Sequence, residues 1–186
     1  MTKKIVITGG LGYIGTELCK IYSGVSWNNK VTVVDNRFIS ERVNQLRNWN
    51  IDFVHGDILD KNLVYKYCKD ADIVHHLAGI TDVPRLKSES SEDKDAKIKL
   101  VGEKGTQNIL NAINDKCKII FPSTHVVYEG IEKVKNDILE HEHAKPILSY
   151  ANSKAINEKQ LRNSGKNYII LRLGSVYGYS TDTARI

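Results

Sequence analysis

Little in this sequence could cross-link a fold or bind a metal. Cysteine accounts for only 3 of the 186 residues, and Cys19, Cys68 and Cys117 are odd in number and far apart. Such a set favours reduced thiols over disulfide bonds, which predicts a cytoplasmic protein. The sequence has no Cys-x-x-Cys pair, and its histidines do not lie at ligand spacing from the cysteines. We therefore expect no metal site.

The sequence also lacks a long apolar run, a signal-like N-terminus and a cluster of basic residues. Lys3 and Lys4 lead directly into a short apolar run, so we interpret the chain as a soluble protein without a membrane partner. The formal charge is +5, but residues 87–95 mix both signs and the remaining Lys and Arg residues are scattered. This pattern indicates a solvated basic surface that suits small anionic ligands, and no nucleic-acid partner.

Strand-like runs alternate with helical patterns along a chain whose length suits one domain. The runs are apolar on both faces, which is typical of parallel strands covered by helices on both sides. They lie at residues 5–8, 31–35, 53–55, 73–76, 119–122 and 168–172. The sequence therefore predicts an α/β fold: a doubly wound, Rossmann-type parallel sheet that binds ligands at the carboxyl ends of its strands.

Glycines follow the first strand at the spacing of a dinucleotide-binding turn. Gly9 or Gly10 lets the chain reverse direction at the end of the strand. Gly12 leaves room for a pyrophosphate, and Gly15 lets the next helix pack closely on the strand. The N–H groups in the first turn of that helix would face the anion. The alternative is a tight strand-to-helix turn that binds nothing.

An acidic residue ends the second strand about 20 residues past the glycines, where a dinucleotide fold holds the adenosine ribose. This residue is Asp35. A carboxylate there repels a 2′-phosphate, which favours NAD over NADP. Two alternatives remain open: Asp35 is a turn or cap residue, or Arg37 pairs with the phosphate of NADP.

The ends of the third and fourth strands carry further candidates for cofactor contacts. Asp57 could face the adenine amino group or could begin the next helix, where Asp60 competes as the cap. After the fourth strand, Leu77, Ala78 and Gly79 could let the backbone pass close to the cofactor. We assign no chemistry to the two histidines before them, which are more typical of a core.

A helical pattern covers residues 92–114 and contains Gly102 and Gly105, three residues apart. Glycine is unfavourable inside a helix, so its presence indicates a close contact with a neighbouring element. That contact could be internal packing, or it could be an interface between subunits.

Tyr150 and Lys154 lie four residues apart, hence one above the other on a helix. Tyr65 and Lys69 have the same spacing, but only the later pair follows a strand that ends in hydroxyl residues, at Ser123 and Thr124. Lowering the phenol pKa of about 10 by about two pH units requires about 2.7 kcal/mol. An ammonium roughly 6 Å away at an effective dielectric of about 20 supplies that much. Tyr150 could then take a proton from a substrate hydroxyl held by Thr124.

Taken together, these motifs resemble the extended short-chain dehydrogenase/reductase family, the NAD-dependent nucleotide-sugar epimerases and dehydratases, over essentially the whole chain. The matching pieces include Gly9-x-x-Gly12-x-x-Gly15, Asp35-Asn36, Asp57-Ile58, His76-Leu77-Ala78-Gly79, Gly105-Thr106-Gln107-Asn108, Ser123-Thr124, Tyr150 to Lys154, Glu158, and Arg172 with Val176-Tyr177-Gly178. The resemblance implies catalysis by Thr124, Tyr150 and Lys154. It implies a cofactor site formed by Gly9, Gly12, Tyr13, Ile14, Gly15, Asp35, Asn36, Arg37, Asp57, Ile58, Leu77, Ala78, Gly79, Tyr150 and Lys154.

The resemblance also implies a nucleotide-sugar substrate and a homodimer that pairs two helices from each subunit, the 92–114 helix and the Tyr150 helix. The substrate residues it implies are Thr81, Ser123, Thr124 and Ser175. It further leads us to expect that residues 1–186 form the NAD-binding domain of a longer polypeptide whose sugar-nucleotide cover lies beyond residue 186.

Departures from the family pattern bear on the substrate. Family dehydratases usually follow the catalytic threonine with acidic residues, whereas His125 and Val126 follow Thr124 here. Ser175 replaces a common asparagine, and Glu129 is inserted into a usual Tyr-Gly pair. We therefore favour an epimerase resembling UDP-hexose 4-epimerases. The alternatives are a sugar-nucleotide reductase, a dehydratase with displaced acids, or a non-catalytic dinucleotide-binding module.

Overall fold

The computed structural model describes residues 2–25, 29–81, 91–132 and 137–178. Within these ranges the chain forms one six-stranded sheet in the order β3-β2-β1-β4-β5-β6, in which every neighbouring pair is parallel. The strands are β1 (Lys4–Thr8), β2 (Lys30–Asp35), β3 (Asp52–His55), β4 (Ile73–His76), β5 (Lys118–Thr124) and β6 (Asn167–Leu173). The predicted doubly wound fold is confirmed, and all six predicted strands are present.

Five α-helices connect the strands, as parallel pairing requires. They are α1 (Tyr13–Gly24), α2 (Ser40–Asn48), α3 (Lys61–Cys68), α4 (Glu92–Ala112) and α5 (Ser149–Asn163), and a short 3₁₀ helix covers His125–Tyr128. Strand order reverses between β1 and β4, so the carboxyl ends of these two strands border the crevice in which such folds bind ligands.

Two apolar clusters, one on each face of the sheet, form the core. Side chains alternate across a strand, so Ile5 and Ile7 of β1 join the cluster under α1 and α2, whereas Val6 joins the other. The second cluster includes Ile109 of α4 and Leu161 of α5. Both faces of the central strands are therefore covered, which explains why these strands read as continuous apolar runs. On the edge strand β6, by contrast, Ile169 and Leu171 are exposed.

Both glycines of α4 contact other parts of the same chain. A Cβ atom on Gly102 would lie 2.1 Å from Oγ of Ser153 in α5, and one on Gly105 would lie 2.3 Å from Cδ1 of Ile58. Internal packing, the first of the two alternatives for this helix, therefore accounts for both residues.

Within the described ranges, none of the helices has the length and apolar character needed to span a membrane. The same ranges contain no group of three or more His, Cys, Asp and Glu residues arranged to hold a metal ion. Cys19, Cys68 and Cys117 are buried and free, and burial raises the pKa of the Cys68 thiol to about 12.

Candidate active site at the carboxyl edge of the sheet

The glycine turn after β1 is built by close backbone contacts. Gly9 has φ of +71°, and a Cβ atom there would lie 2.7 Å from Cα of Ala78. Gly9 is therefore the residue that reverses the chain, and it also lets the end of β4 approach. A Cβ atom on Gly15 would lie 2.6 Å from Cα of Gly10, so Gly15 brings α1 against the turn.

The N-terminus of α1 is open to a ligand. Its N-cap is Gly12, which has no capping side chain, and its first turn contains no acidic residue. The first N–H groups of a helix have no partner within the helix, so those of Tyr13 and Ile14 point out of the turn. A Cβ atom on Gly12 would lie 3.7 Å from Nη2 of Arg37. A guanidinium and a helix N-terminus thus flank the same space, and both favour an anion.

Asp35 supports the glycine turn directly. The residue is only 5% exposed, and its Oδ2 accepts a hydrogen bond from the Leu11 N–H at 3.0 Å. Its Oδ1 accepts one from the N–H of Arg37 at 3.0 Å and faces Nε of Arg37 at 3.4 Å. Arg42 also holds the turn, because it donates to the main-chain oxygen of Leu11. The carboxylate therefore joins β2 to the turn and restrains the Arg37 side chain.

The turn after β3 separates the roles of its two aspartates. Asp60 caps α3, since its Oδ1 accepts from the N–H groups of Asn62 and Leu63. Asp57 instead accepts from Nδ2 of Asn36 at 3.0 Å. It is therefore not the helix cap, and its carboxylate lies beside the end of β2.

Two residues of α4 support this edge, and the sequence alone did not indicate their roles. Asn108 donates from Nδ2 to the main-chain oxygen of Ile58 at 2.9 Å. Thr106 lies 3.0 Å from Nε2 of His76, whose Nδ1 lies 2.9 Å from Oγ1 of Thr8. Spacing alone could not reveal these bonds, because each joins elements at least 30 residues apart in sequence.

His76 is a neutral core residue below the crevice. Burial, together with the smaller effect of the nearby positive charge of Lys154, lowers its pKa to about 3. Thr8 connects His76 to the segment after β4, because its Oγ1 also accepts a hydrogen bond from the Ala78 N–H at 3.3 Å. The histidine therefore fixes the backbone of β1, β4 and α4 relative to one another.

Tyr150 and Lys154 lie on one face of α5, against the end of β5. Nζ of Lys154 lies 5.9 Å from the centre of the Tyr150 ring and donates to the main-chain oxygen of Pro122 at 2.8 Å. Lys154 is 9% exposed, and burial lowers its pKa to about 8. The ammonium is thus largely charged at neutral pH and held at a fixed distance from the phenol.

The phenol pKa differs from the sequence-based prediction. The ammonium lies 5.9 Å from the centre of the ring, yet burial raises the pKa of Tyr150 above its ordinary value. The Coulomb energy of a nearby ammonium favours a lower pKa, but ionising a phenol away from water costs free energy, and here that cost is the larger effect. Without a further positive charge, Tyr150 is therefore protonated at neutral pH.

The Tyr65–Lys69 pair shows the same local geometry in a different environment. Nζ of Lys69 lies 5.5 Å from the centre of the Tyr65 ring, but Tyr65 is 56% exposed on α3. Spacing and ring contact do not distinguish the two pairs. Burial against the end of β5 does.

The hydroxyl groups at the end of β5 face different partners. Oγ1 of Thr124 accepts from the Val126 N–H at 3.2 Å, which leaves its own hydrogen to donate. Oγ of Ser123 donates to Oε1 of Glu158 at 2.6 Å, in the buried interior. Thr124 therefore retains a donor for a ligand, whereas the Ser123 hydroxyl is committed to Glu158.

A buried ion pair supports Ser123 from behind. Nε and Nη2 of Arg172 contact the two carboxylate oxygens of Glu158 at 2.9 and 2.6 Å, a bidentate arrangement that lowers the pKa of Glu158 despite its burial. Arg172 also contacts the hydroxyl of Tyr128 and donates to the main-chain oxygen of Glu140. Strand β6 is thereby tied to α5 and to the 3₁₀ helix.

Two candidates for substrate contact remain. Thr81 and Ser175 are exposed, beyond the ends of β4 and β6 respectively. A Cβ atom on Gly178 would lie 3.2 Å from the hydroxyl oxygen of Tyr13. The segment after β6 therefore returns to α1, the helix that follows the glycine turn.

Comparison with known proteins places this site in context. The NAD dependent epimerase/dehydratase family matches residues 5–186. A UDP-N-acetyl-alpha-D-glucosaminuronate decarboxylase of Bacillus cytotoxicus is 32% identical over 186 aligned residues, covering 96% of this chain and 56% of that protein. A CDP-paratose 2-epimerase of Salmonella typhi is 36% identical over 144 aligned residues, covering 71% of this chain and 40% of that protein.

Among solved structures, the UDP-glucose 4-epimerase from Brucella ovis in complex with NAD superposes with a TM-score of 0.73. It is 30% identical, and the match covers 91% of this chain and 51% of that one. The chain therefore spans about half the length of the curated and solved relatives it matches.

Proposed function

This chain belongs to the NAD-dependent epimerase/dehydratase family, and we propose that it binds NAD and carries the proton-transfer residues of a nucleotide-sugar epimerase. The main support is one relationship. The buried Lys154 ammonium lies 5.9 Å from the Tyr150 ring, at the same sheet edge as an uncapped helix N-terminus. One half of this arrangement suits a pyrophosphate, and the other suits proton transfer beside it.

The residues at this edge fit NAD. Gly12 leaves the space before α1 free of a side chain, and Arg37 flanks it with a positive charge. Asp35 lies at the end of β2, where its negative charge disfavours a 2′-phosphate. Within the described residues, the Lys154 ammonium makes one hydrogen bond, to the main-chain oxygen of Pro122. An ammonium has three donors. One side of this ammonium lies over the Phe121 ring, 4.5 Å from its centre, so at least one donor remains for a hydroxyl group of a ribose.

NAD, when bound, supplies the hydride acceptor and a positive charge beside the phenol. Tyr150 then takes the proton of a sugar hydroxyl and later returns it. Lys154 stabilises the phenolate through its charge, since a nearby opposite charge favours the ionised form. Thr124 donates its free hydrogen to the same sugar oxygen and so orients it.

We propose epimerase chemistry of the 4-epimerase type, because the residues after Thr124 are His125 and Val126 and not carboxylic acids. His125 is exposed, and its Nδ1 lies 3.1 Å from the main-chain oxygen of Leu173. A dehydratase needs an acid that can protonate a leaving hydroxyl, and no carboxylate directly follows Thr124. A reductase remains the second candidate, since it would use the same three residues.

We further propose a cytoplasmic homodimer that pairs α4 and α5 of two subunits. The outer face of α4 carries a shallow depression of about 420 Å³, whose lining includes Leu100, Lys99 and Glu103. Leu100 is 54% exposed. An exposed apolar side chain flanked by charges of both signs suits a symmetric contact. Sedimentation of the purified chain tests this point.

The proposed function is tested in two steps. Calorimetry with NAD and with NADP shows whether the cofactor binds and which one is preferred. A panel of UDP-, dTDP-, GDP- and CDP-sugars is then screened for binding and for conversion. No NAD binding would refute the proposal, and NAD binding with net sugar reduction would favour the reductase.

A further inference from the structure

The start of α5 lacks a cap of its own. Its N-cap residue is Leu148, whose side chain makes no capping hydrogen bond. Glu129, in the turn after the 3₁₀ helix, supplies an acceptor to this end of the helix. Its Oε1 accepts from the N–H groups of Ile147 and Leu148, each at 2.6 Å. A carboxylate at a helix N-terminus also interacts favourably with the helix dipole.

Main-chain hydrogen bonds reinforce this contact. The N–H of Lys145 donates to the oxygen of Val127, and the N–H of Gly130 donates to the oxygen of Lys145, both at 2.8 Å. A Cβ atom on Gly130 would lie 2.4 Å from that same oxygen, so only glycine allows the approach. The segments 127–130 and 145–148 are therefore held together by backbone and by side chain.

The peptide groups beside Glu129 are also held from within α5. Nδ2 of Asn152 donates to the main-chain oxygens of Ile147 and Leu148, each at 3.2 Å. Glu129 accepts hydrogen bonds from the N–H groups of these two residues, and Asn152 donates hydrogen bonds to their main-chain oxygens. The entry into α5 is thus restrained on both sides.

This contact joins the two elements that carry the proton-transfer residues. The 3₁₀ helix begins directly after Thr124, and Tyr150 is the second residue of α5. We propose that Glu129 is a positioning residue, which fixes the start of α5 and so sets the Tyr150 phenol against Lys154 and Thr124. The importance of Glu129 for catalysis rests on the proposed function, whereas its effect on the position of Tyr150 is independent of that function.

The experiment uses the full chain labelled with ¹³Cζ-tyrosine and without cofactor. Tyr150→Phe identifies the Tyr150 resonance among those of the nine tyrosines. Glu129→Ala should shift this resonance and leave that of Tyr65 in place. It should also speed the amide exchange of Ile147 and Leu148 by about tenfold or more, because bonds to a charged acceptor are lost.

Three further variants separate positioning from general destabilisation. Glu129→Gln keeps an oxygen acceptor, so it should restore the resonance and, because the acceptor is now neutral, most but not all of the slow exchange. Glu132→Ala removes an exposed carboxylate three residues away and should change neither. Glu129→Asp, which is one methylene shorter, replaces the alanine variant if that variant does not fold, and it should shift the same resonance.

An unmoved Tyr150 resonance in the alanine or aspartate variant would overturn the proposal. Failure of Glu129→Gln to restore it would also overturn it, because charge and not hydrogen bonding would then be responsible. Calorimetry with NAD is run on the same samples. If the unmodified chain does not bind NAD, the proposed function fails, while the comparison of Tyr150 resonances still decides the role of Glu129.

Discussion

Lys154 holds its ammonium 5.9 Å from the centre of the Tyr150 ring while it donates to the main-chain oxygen of Pro122. The lysine thereby connects α5 to the strand that ends in Thr124. Burial raises the pKa of Tyr150 and lowers that of Lys154 to about 8. Both shifts disfavour the charged forms, the phenolate and the ammonium. A further positive charge nearby is therefore needed before the phenol can act as a base at neutral pH.

We predict that replacing Tyr150 with phenylalanine reduces the proposed sugar-nucleotide turnover by at least about 100-fold, the usual contribution of a positioned acid–base group. NAD affinity should change little, because the glycine turn and Asp35 are untouched. Steady-state kinetics and calorimetry measure the two quantities.

Tyr65→Phe is the matched control, since Lys69 lies 5.5 Å from the centre of that ring. It should alter neither turnover nor affinity. If it were the damaging substitution, the assignment of Tyr150 as the base would be wrong.

We predict a preference for NAD over NADP that depends on the charge of Asp35. Asp35→Asn removes the charge but keeps an oxygen that can accept the Leu11 N–H, so it should relax the preference and leave NAD affinity largely intact. Asp35→Gly removes both and should weaken NAD binding as well. Calorimetry with each cofactor distinguishes these cases.

Arg37→Ala provides the control for cofactor choice. Because Arg37 flanks the space before α1, its loss should weaken both cofactors to a similar extent. A selective loss of NADP binding would instead make Arg37 a ligand of the 2′-phosphate.

We predict that the 186-residue chain binds NAD but shows little or no sugar-nucleotide turnover. In the matched relatives, about half of the chain lies outside the region that aligns with this one. Binding energy from the remote nucleotide positions a sugar for reaction, so a chain of 186 residues that holds the sugar nucleotide weakly should also turn it over slowly. Efficient turnover by this chain would place the whole substrate site within it.

We predict that stability falls as the pH falls from about 6.5 towards 3, in part because of His76. Its pKa is lowered by burial to about 3 in the folded chain, whereas an unperturbed histidine has a pKa of about 6.5. As the pH falls, the unfolded chain therefore binds the proton first and is stabilised relative to the folded chain. One such group changes the free energy of unfolding by up to about 1.4 kcal/mol per pH unit. Urea unfolding between pH 7.5 and 4.5 measures this slope.

His76→Asn should reduce that slope, while the exposed His143→Asn should leave it unchanged. His75, whose pKa burial lowers to about 4, contributes in the same direction to the slope that remains. A slope unaffected by His76→Asn would show that His76 titrates normally in the folded chain.

The sequence by itself determined the architecture and the family. Six apolar runs separated by helices permit little except a parallel sheet, and the glycine spacing is a local backbone requirement that Gly9 meets with φ of +71°. Such features depend on neighbours in the chain, so they can be read without a structure.

Only the tertiary structure decided how individual side chains are used. The pairs Tyr65–Lys69 and Tyr150–Lys154 have the same spacing and similar ring contacts, and burial against a distant strand separates them. The same burial reversed the expected direction of the Tyr150 pKa shift. Desolvation depends on everything packed around a group, and most of those neighbours are far away in sequence.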